Sequence, residues 1–195
     1  TSVSRGLGDV YKRQPEKVTL IQIDAHADLR DELDGEPYSH ACAIARSLDE
    51  GALAVHQVGI RAYCRQEANR IENDHRIHTW FARDIMSPCT GSKAWSGWLE
   101  SIKNIDGPVH LTVDIDGLDG ALVPATGTPV PGGLTFWHAV ETIETVFANC
   151  QVISADVNEI VPQVETPLTQ FTAAMIATKI ACLLYTSDAA DDVAS

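Results

Sequence analysis

Basic residues, paired cysteines and long apolar runs are scarce in this 195-residue chain. Lys and Arg number 14 against 27 for Asp and Glu, so the formal net charge is −13 at pH 7. This imbalance argues against a nucleic-acid partner, whose phosphates bind basic surfaces, and favours cationic ligands or metal ions. We expect no membrane partner, because no apolar run approaches the roughly 18 residues that a spanning helix needs.

The five cysteines are scattered, odd in number and form no C-x-x-C pair. This use of cysteine fits a reduced compartment and argues against a disulfide framework or a structural zinc site. No charged segment followed by an apolar one opens the chain, so no secretion signal is expected. We therefore expect a cytoplasmic protein.

The two ends of the chain differ in character from the interior. Residues 1–14 and residues 182–195 do not continue the apolar periodicity of their neighbours, and we expect both to be non-native tails. The interior, residues 15–181, is then one partial domain of a protein truncated at both ends. It is long enough to bury a substantial core.

Short apolar runs alternate with longer amphipathic stretches across the interior. The apolar, β-branched runs predict strands at 18–23, 55–60, 77–81, 108–115 and 152–157. The amphipathic stretches predict helices at 40–49, 65–73, 93–104, 136–148 and 169–181. This alternation predicts an α/β fold, in which right-handed crossovers place helices on both faces of a parallel sheet.

Two acidic clusters directly follow predicted strands. In the segment DAHAD at 24–28, Asp24, His26 and Asp28 alternate with alanine and share one side of an extended chain. The segment DIDGLD at 114–119 supplies Asp114 and Asp116 after another apolar run. Carboxylates crowded at neighbouring strand ends repel one another unless a cation neutralises them. The pattern therefore predicts a metal site outside the carboxyl ends of the strands.

Oxygen ligands together with one imidazole suit a hard or borderline divalent ion such as Mn²⁺. Two facing acidic segments can hold two ions about 3.5–4 Å apart, a spacing at which a shared water loses its proton near neutral pH. The expected nucleophile is a metal-bound hydroxide. Asp119 is as well suited to capping a turn, or to a place just outside the metal ligands, as to binding a metal itself.

These motifs resemble the signatures of the ureohydrolase (arginase/agmatinase) family, binuclear manganese enzymes that include arginase, agmatinase and formimidoylglutamase. DAHAD at 24–28 resembles the family's D-A-H-x-D. DIDGLD at 114–119, followed by GTPVPGG at 127–133, resembles D-x-D-x-x-D-P followed by G-T-P-x-P-G-G. The resemblance covers residues 15–181. It implies a three-layer α-β-α fold of the arginase/deacetylase type, and hydrolysis of a guanidinium group to urea and an amine.

The resemblance also implies a metal-binding role for five side chains. Asp24 and Asp114 would each bridge two Mn²⁺ ions. Asp28 would complete the shell of one ion, and His26 with Asp116 would complete the other.

Two further residues match catalytic positions of the family. His40 falls at the family's loop histidine, a proton shuttle beside the departing amine, and imidazole titrates near working pH. Glu159 matches a glutamate that would hold the substrate guanidinium through paired hydrogen bonds. The alternative interpretations are a helix-start histidine and a surface glutamate.

The chain departs from the family pattern in two places. The family has another metal-binding histidine in an upstream G-G-D-H motif, and residues 1–18 do not supply it. We therefore expect the chain to lack one ligand and the first strands of the sheet, and to be weakly active or inactive. The D-P of the second signature is here Asp119-Gly120, which we interpret as a loop variation.

The segment 28–40 resembles bacterial agmatinases more than arginases, which place Asn and Ser here to hold the substrate's α-carboxylate. In this chain the loop has four acids that would repel a carboxylate, or that simply face solvent: Asp31, Glu32, Asp34 and Glu36. The expected reaction is agmatine plus water to putrescine plus urea. Guanidinobutyrase, arginase and formimidoylglutamase activities remain open, and the family's oligomers imply a homo-oligomer.

Two functions of other classes are also considered. A non-catalytic metal-binding fragment would bind manganese without releasing urea. A deacetylase-like zinc hydrolase on a related fold normally uses one zinc ion and a nearby tyrosine, and the two carboxylate clusters argue against it.

Overall fold

The computed structural model describes the backbone of residues 18–194 and the side chains of residues 18–186. The predicted tail at 1–14 lies outside the described residues. The described strands are β1 (Thr19–Ile23), β2 (Ala54–Ile60), β3 (Ile77–Phe81), β4 (Pro108–Asp114) and β5 (Gln151–Asn158). The described helices are α1 (Ala43–Asp49), α2 (Arg65–Asn73), α3 (Ala82–Ile85), α4 (Gly91–Lys103), α5 (Phe136–Asn149) and α6 (Leu168–Ala194). Two short 3₁₀ turns cover His40–Cys42 and Ile115–Gly117.

The strands form one parallel sheet in the order β3-β2-β1-β4-β5. The chain runs outward from β1 through β2 and β3, and then returns to the other side of β1 as β4. This reversal creates a topological switch point between β1 and β4, and ligands of such sheets bind outside the carboxyl ends of the strands at that point. Ile23 of β1 pairs with Val113 of β4, so the two acidic segments leave the sheet side by side.

Helices cover both faces of the sheet. On one face, Trp98 of α4, Ile143 of α5 and Ile176 of α6 are buried in one cluster with strand residues such as Leu111. On the other face, Leu48 of α1 belongs to a second buried cluster, together with strand residues such as Leu20 and Val55. The predicted three-layer α/β fold is confirmed.

Most predicted elements lie where the periodicity placed them. Helix α2 and strand β3 begin and end at the predicted residues. Helix α5 begins directly after Thr135, whose Oγ1 accepts a hydrogen bond from the backbone N–H of His138 at 3.2 Å, as a helix cap does. The short helix α3 was not expected.

The predicted end of the last helix, at residue 181, is wrong. Helix α6 continues to Ala194. No glycine or proline lies between residues 168 and 195 to stop it, and alanine favours a helix. That residues 182–195 are a non-native tail stays a prediction.

One segment of the described chain, Leu168–Thr186, is long and apolar enough to cross a membrane by length and composition. Its residues Ala173, Ile176 and Ile180 are buried in the core cluster beside the sheet. A helix packed against a sheet passes the same test, so the finding is weak evidence for a membrane segment.

Candidate metal centre

The carboxyl ends of β1 and β4 bring three predicted metal ligands together. Asp24 follows β1 directly, and Asp116 lies in the 3₁₀ turn that follows β4. One ligand atom from each of Asp24, His26 and Asp116 lies within 4.8 Å of the other two. Asp24 and Asp116 are buried, with exposed fractions of 2% and 1%. These three side chains are therefore close enough together to hold a metal ion.

Two glycines allow the backbone to close around Asp24. A Cβ at Gly117 would lie 2.8 Å from the backbone nitrogen of Asp24. A Cβ at Gly59, whose φ is +95°, would lie 2.9 Å from the carbonyl oxygen of Asp24. Real Cβ atoms do not approach so closely, and glycine alone lacks this atom. The main chains of β2, β1 and the turn after β4 are therefore nearer to one another than any other residue would permit.

The other predicted site residues line an adjoining cleft of about 540 Å³. Its walls include His26, Asp28, His40, Asp114 and Glu159. Asp114, the last residue of β4, accepts a hydrogen bond from the backbone N–H of Asp116 at 3.0 Å. Thus the five predicted metal ligands, His40 and Glu159 all lie in the cluster or along the cleft beside it.

Burial and mutual repulsion make it costly to ionise these aspartates. Burial, followed by the charges of Asp24 and Asp116, raises the pKa of Asp114 to about 9. Burial, followed by the charge of Asp24, raises the pKa of Asp28 to about 8. Burial also raises the pKa of Asp24 to about 6, although hydrogen bonds with His26 and Gln22 oppose the rise. The cluster holds more negative charge than its protein surroundings compensate.

His26 supplies positive charge within the cluster. Its Nδ1 lies 3.1 Å from Asp116 Oδ2 and 3.6 Å from Asp24 Oδ1. The hydrogen bond with Asp116, followed by that with Asp24, raises the pKa of His26 to about 10. Burial raises the pKa of Asp116, but the hydrogen bond and charge of His26 outweigh it and leave that pKa below its ordinary value. At neutral pH and without metal, His26 is therefore protonated, and its positive charge offsets part of the negative charge of the aspartates.

Asp119 serves a different purpose from its acidic neighbours. Its Oδ2 accepts hydrogen bonds from the backbone N–H groups of Gly132 and Gly133, at 2.8 and 3.0 Å. These bonds hold the end of the glycine-rich loop 127–133 against the second acidic segment. From the same loop, Thr128 Oγ1 donates to Asp116 Oδ2 at 3.3 Å. The structure favours the capping interpretation of Asp119.

Asp28 and Glu159 share an unusual backbone conformation. Their φ angles are 54° and 61°, in the left-handed region that non-glycine residues seldom adopt. Such a conformation costs of the order of 1–3 kcal/mol and persists when the surrounding structure enforces it, which is typical of functional sites. Glu159 is exposed at the cleft, as is His40 at the start of the 3₁₀ turn His40–Cys42.

Within the segment 28–40, the four acids at positions 31–36 are exposed and do not line the cleft, which favours the interpretation that they face solvent. Asp31 lies 3.1 Å from Arg70 Nη1 and 3.8 Å from Arg46 Nη2, and also accepts a hydrogen bond from Gln66. These partners on α1 and α2 account for its position. Arg30, from the same segment 28–40, does line the cleft, and its Nε lies 3.7 Å from Glu67 Oε2.

The sequence pattern did not identify several residues that support the site. Gln22 Nε2 donates to Asp24 Oδ2 at 2.7 Å. The guanidinium of Arg61 donates to the carbonyl oxygens of Asp116 and Val130, both at 2.7 Å, and so ties the second acidic segment to the glycine-rich loop. The available signal was a polar residue inside, or directly after, an apolar strand.

Comparison with known proteins places this geometry in a family. A sequence model of the arginase family matches residues 2–183 of this chain. An N(1)-aminopropylagmatine ureohydrolase of Synechocystis sp. is 35% identical over 167 residues, which are 85% of this chain and 52% of that protein. A guanidinobutyrase of Pseudomonas aeruginosa is 34% identical over 169 residues, which are 80% of this chain and 49% of that protein.

A solved structure shows the same fold. The agmatine ureohydrolase of Thermoplasma volcanium matches with a TM-score of 0.74 and 26% identity, over 87% of this chain and 56% of that chain. The chain spans about half the length of the curated relatives it matches. Because the family match covers nearly the whole chain and the parallel sheet agrees with that of a solved member, this chain belongs to the arginase family.

Proposed function

We propose that this chain carries much of the active site of an enzyme that hydrolyses a guanidinium group to urea and an amine, with two Mn²⁺ ions as cofactors. The observation that carries the proposal is the strand-end cluster of Asp24, His26 and Asp116, with Asp28 and Asp114 lining the cleft beside it. No other cluster of this kind is found among the residues the structure describes.

The donor set fits the two ions. Carboxylate oxygens and one imidazole are ligands that Mn²⁺ accepts, and the raised pKa values of Asp28 and Asp114 mark negative charge that divalent cations would offset. Asp24 and Asp114 would bridge the ions, Asp28 would complete one shell, and His26 with Asp116 would complete the other. When bound, two such ions lower the pKa of a shared water and so supply the nucleophile.

Glu159 and His40 are proposed to act on the substrate. The carboxylate of Glu159 can accept paired hydrogen bonds from a planar guanidinium, which would orient the carbon to be attacked. His40 can deliver a proton from its imidazole to the departing amine nitrogen. Both side chains line the cleft beside the aspartates, which supports these roles.

Agmatine is our proposed substrate, with putrescine and urea as products. Three relatives bear on this choice, since their names specify agmatine, aminopropylagmatine and guanidinobutyrate. The net charge of −13 favours a substrate that carries two positive charges over one that carries a carboxylate. We further propose that the full-length protein is a cytoplasmic homo-oligomer, which rests on its family and its scattered cysteines.

One observation favours a second substrate class, the guanidino acids. Arg30 lines the cleft and its side chain is 38% exposed, whereas its partner Glu67 is 4% exposed. The more accessible member of this pair is thus a hydrogen-bond donor suited to a carboxylate. A compound such as 4-guanidinobutyrate could pair with Arg30 at its far end.

Metal analysis and urea release test the proposal together. The full-length protein, dialysed against Mn²⁺, is expected to bind two ions and to release urea from agmatine, and its Asp114→Asn variant is expected to do neither. Two bound ions without urea would favour the non-catalytic metal-binding alternative. A single zinc ion, or no bound metal, would overturn the binuclear assignment.

Substrate preference is tested by comparing kcat/KM for agmatine, 4-guanidinobutyrate and arginine. We expect agmatine to be preferred in the native chain. A preference for 4-guanidinobutyrate that disappears in Arg30→Gln would establish the second class instead. Arg83→Gln is a suitable control, because Arg83 is an exposed residue of α3 that does not line the cleft.

A further inference from the structure

A row of polar side chains crosses three strands and ends on Asp24. We call it the amide ladder, and it consists of Thr79 on β3, Gln57 on β2 and Gln22 on β1. Thr79 Oγ1 donates to Gln57 Oε1 at 3.0 Å, and Gln57 Nε2 donates to Gln22 Oε1 at 2.6 Å. Gln22 Nε2 donates to Asp24 Oδ2 at 2.7 Å. All three hydrogen bonds point the same way, towards the carboxylate.

The direction of the amide ladder is fixed by its partners. Gln57 Nε2 also donates to the carbonyl oxygen of Ala27 at 2.8 Å, and Gln22 Nε2 lies 3.4 Å from that of His26. If the side-chain amide of Gln22 were rotated by 180°, its oxygen would face the carboxylate of Asp24. Its NH₂ group would then face the NH₂ group of Gln57. Both contacts would be repulsive, so each glutamine has one allowed orientation.

The amide ladder is costly to bury. Gln22 and Gln57 are 2% and 0% exposed, within strands whose other residues are mostly apolar. A buried amide repays its desolvation through hydrogen bonds, whereas a leucine or valine would fill such a position without that cost. Two linked glutamines leading to a carboxylate therefore indicate a task at the carboxylate.

We propose that the amide ladder positions Asp24 for metal binding, an inference that rests on the proposed function. Asp24 is held at both oxygens, by Gln22 at Oδ2 and by the backbone N–H of His26 at Oδ1, at 2.6 Å. Each oxygen keeps a lone pair that can face a cation. The carboxylate is thus oriented before an ion arrives, and Gln22 and Gln57 are positioning residues.

The contacts to the backbone extend this effect to the neighbouring ligands. Ala27 lies between His26 and Asp28, and its carbonyl oxygen is bound by Gln57. The amide ladder therefore restrains the main chain that carries these two side chains, as well as the Asp24 carboxylate. Groups that orient metal ligands in this way typically change metal affinity about 10- to 100-fold when they are removed.

The decisive variant is Gln57→Leu, because Gln57 does not touch Asp24. We expect its Mn²⁺ affinity, measured by electron paramagnetic resonance of unbound Mn²⁺, to fall about 10- to 100-fold. Thr142→Val is the matched control: Thr142 is fully buried and accepts a hydrogen bond from Trp98 Nε1 at 2.9 Å, but it lies outside the amide ladder. This control should lower the melting temperature and leave Mn²⁺ affinity unchanged.

Gln57→Met keeps the length and flexibility of the side chain and so guards against misfolding of the leucine variant. Its thioether has no donor for Gln22, so the amide ladder is interrupted at the same point. We expect an affinity as low as that of Gln57→Leu, and native affinity in Gln57→Met would overturn the proposal.

A readout without metal separates this inference from the proposed function. The His26 amide proton donates to Asp24 Oδ1, so its hydrogen exchange in metal-free protein reports how firmly the carboxylate is held. We expect faster exchange in Gln57→Leu and native exchange in Thr142→Val. If the native chain binds no Mn²⁺, the proposed function fails, while the amide ladder is judged by this exchange alone. Unchanged exchange in Gln57→Leu would overturn the positioning role.

Discussion

Two groups of aspartates in this chain behave in opposite ways. The strand-end group, Asp24, Asp28 and Asp114, is crowded and has raised pKa values. The arginine-paired group includes Asp31 and Asp74. Hydrogen bonds from Arg76, at 2.7 and 3.0 Å, lower the pKa of Asp74 to about 2.

The difference lies in what compensates each charge. Arginine side chains already neutralise the second group, and a further cation would gain little there. The first group has the imidazole of His26 as its close positive partner and remains short of positive charge. A count of acidic residues therefore does not locate a cation site, whereas the shortage of partners does.

The largest expected effect separates Asp114→Asn from Asp74→Asn. Asp114→Asn should weaken Mn²⁺ binding by more than about 100-fold, beyond what residues that merely orient ligands contribute. It should also raise the melting temperature of metal-free protein at pH 8, because Asp114 must take up a proton to be buried there and asparagine need not. Asp74→Asn should do the reverse, lowering the melting temperature while keeping native Mn²⁺ affinity. Titration calorimetry and thermal unfolding measure both, and equal losses of Mn²⁺ affinity would contradict the distinction.

The pH dependence should be the next largest effect. Asp28, Asp114 and His26 have pKa values near 8, 9 and 10, so at pH 6 each must lose a proton before it can bind a metal. Mn²⁺ affinity should therefore rise more than tenfold per pH unit between about pH 6 and 8. Asp114→Asn should show a shallower rise, and a flat profile in the native chain would refute the assignment.

The same pKa values predict the stability of the metal-free protein. For a carboxyl group whose folded pKa lies above its unfolded pKa, the stabilisation is complete below the unfolded value, near 4, and is lost as pH rises through the folded value. The melting temperature should therefore fall between pH 5 and pH 9. Added Mn²⁺ should reverse that fall, because the ions offset the ionised carboxylates.

Asp119 is a third kind of acid, compensated by backbone N–H groups, and should have a moderate effect. Asp119→Ala should lower the free energy of unfolding by about 1–3 kcal/mol, since the amides of Gly132 and Gly133 lose their acceptor. Its Mn²⁺ affinity should stay well above that of Asp114→Asn. Urea denaturation and Mn²⁺ titration distinguish the two variants. A loss of affinity equal to that of Asp114→Asn would make Asp119 a metal ligand.

The smallest effect is expected at Asp31. Asp31→Asn breaks exposed ion pairs with Arg46 and Arg70, and such pairs contribute less than about 1 kcal/mol to stability. The ratio of kcat/KM for agmatine to that for arginine should not change, because Asp31 does not line the cleft. A changed ratio would show that the acidic loop reaches the substrate after all.

The sequence was most informative where the signal is local. Apolar runs located the strands, and Asp24 and Asp114 could be placed at strand ends because they directly follow such runs. The amide ladder could not be found this way, since Gln22 and Gln57 become neighbours only through the pairing of β1 with β2. The orientation of the Asp31 side chain likewise depends on Arg46 and Arg70, which lie on helices further along the sequence.

The glycines beside Asp24 have a consequence for how the protein can vary. Gly59 and Gly117 make the width of the site a property of main-chain contact, because the backbone around Asp24 is already at its limit of approach. Substitutions of core side chains would then change the stability of the fold without changing the spacing of the proposed metal ligands. The Synechocystis relative is 35% identical over 167 residues, so most side chains can differ between relatives, whereas in this chain two missing methyl groups set the dimensions of the site.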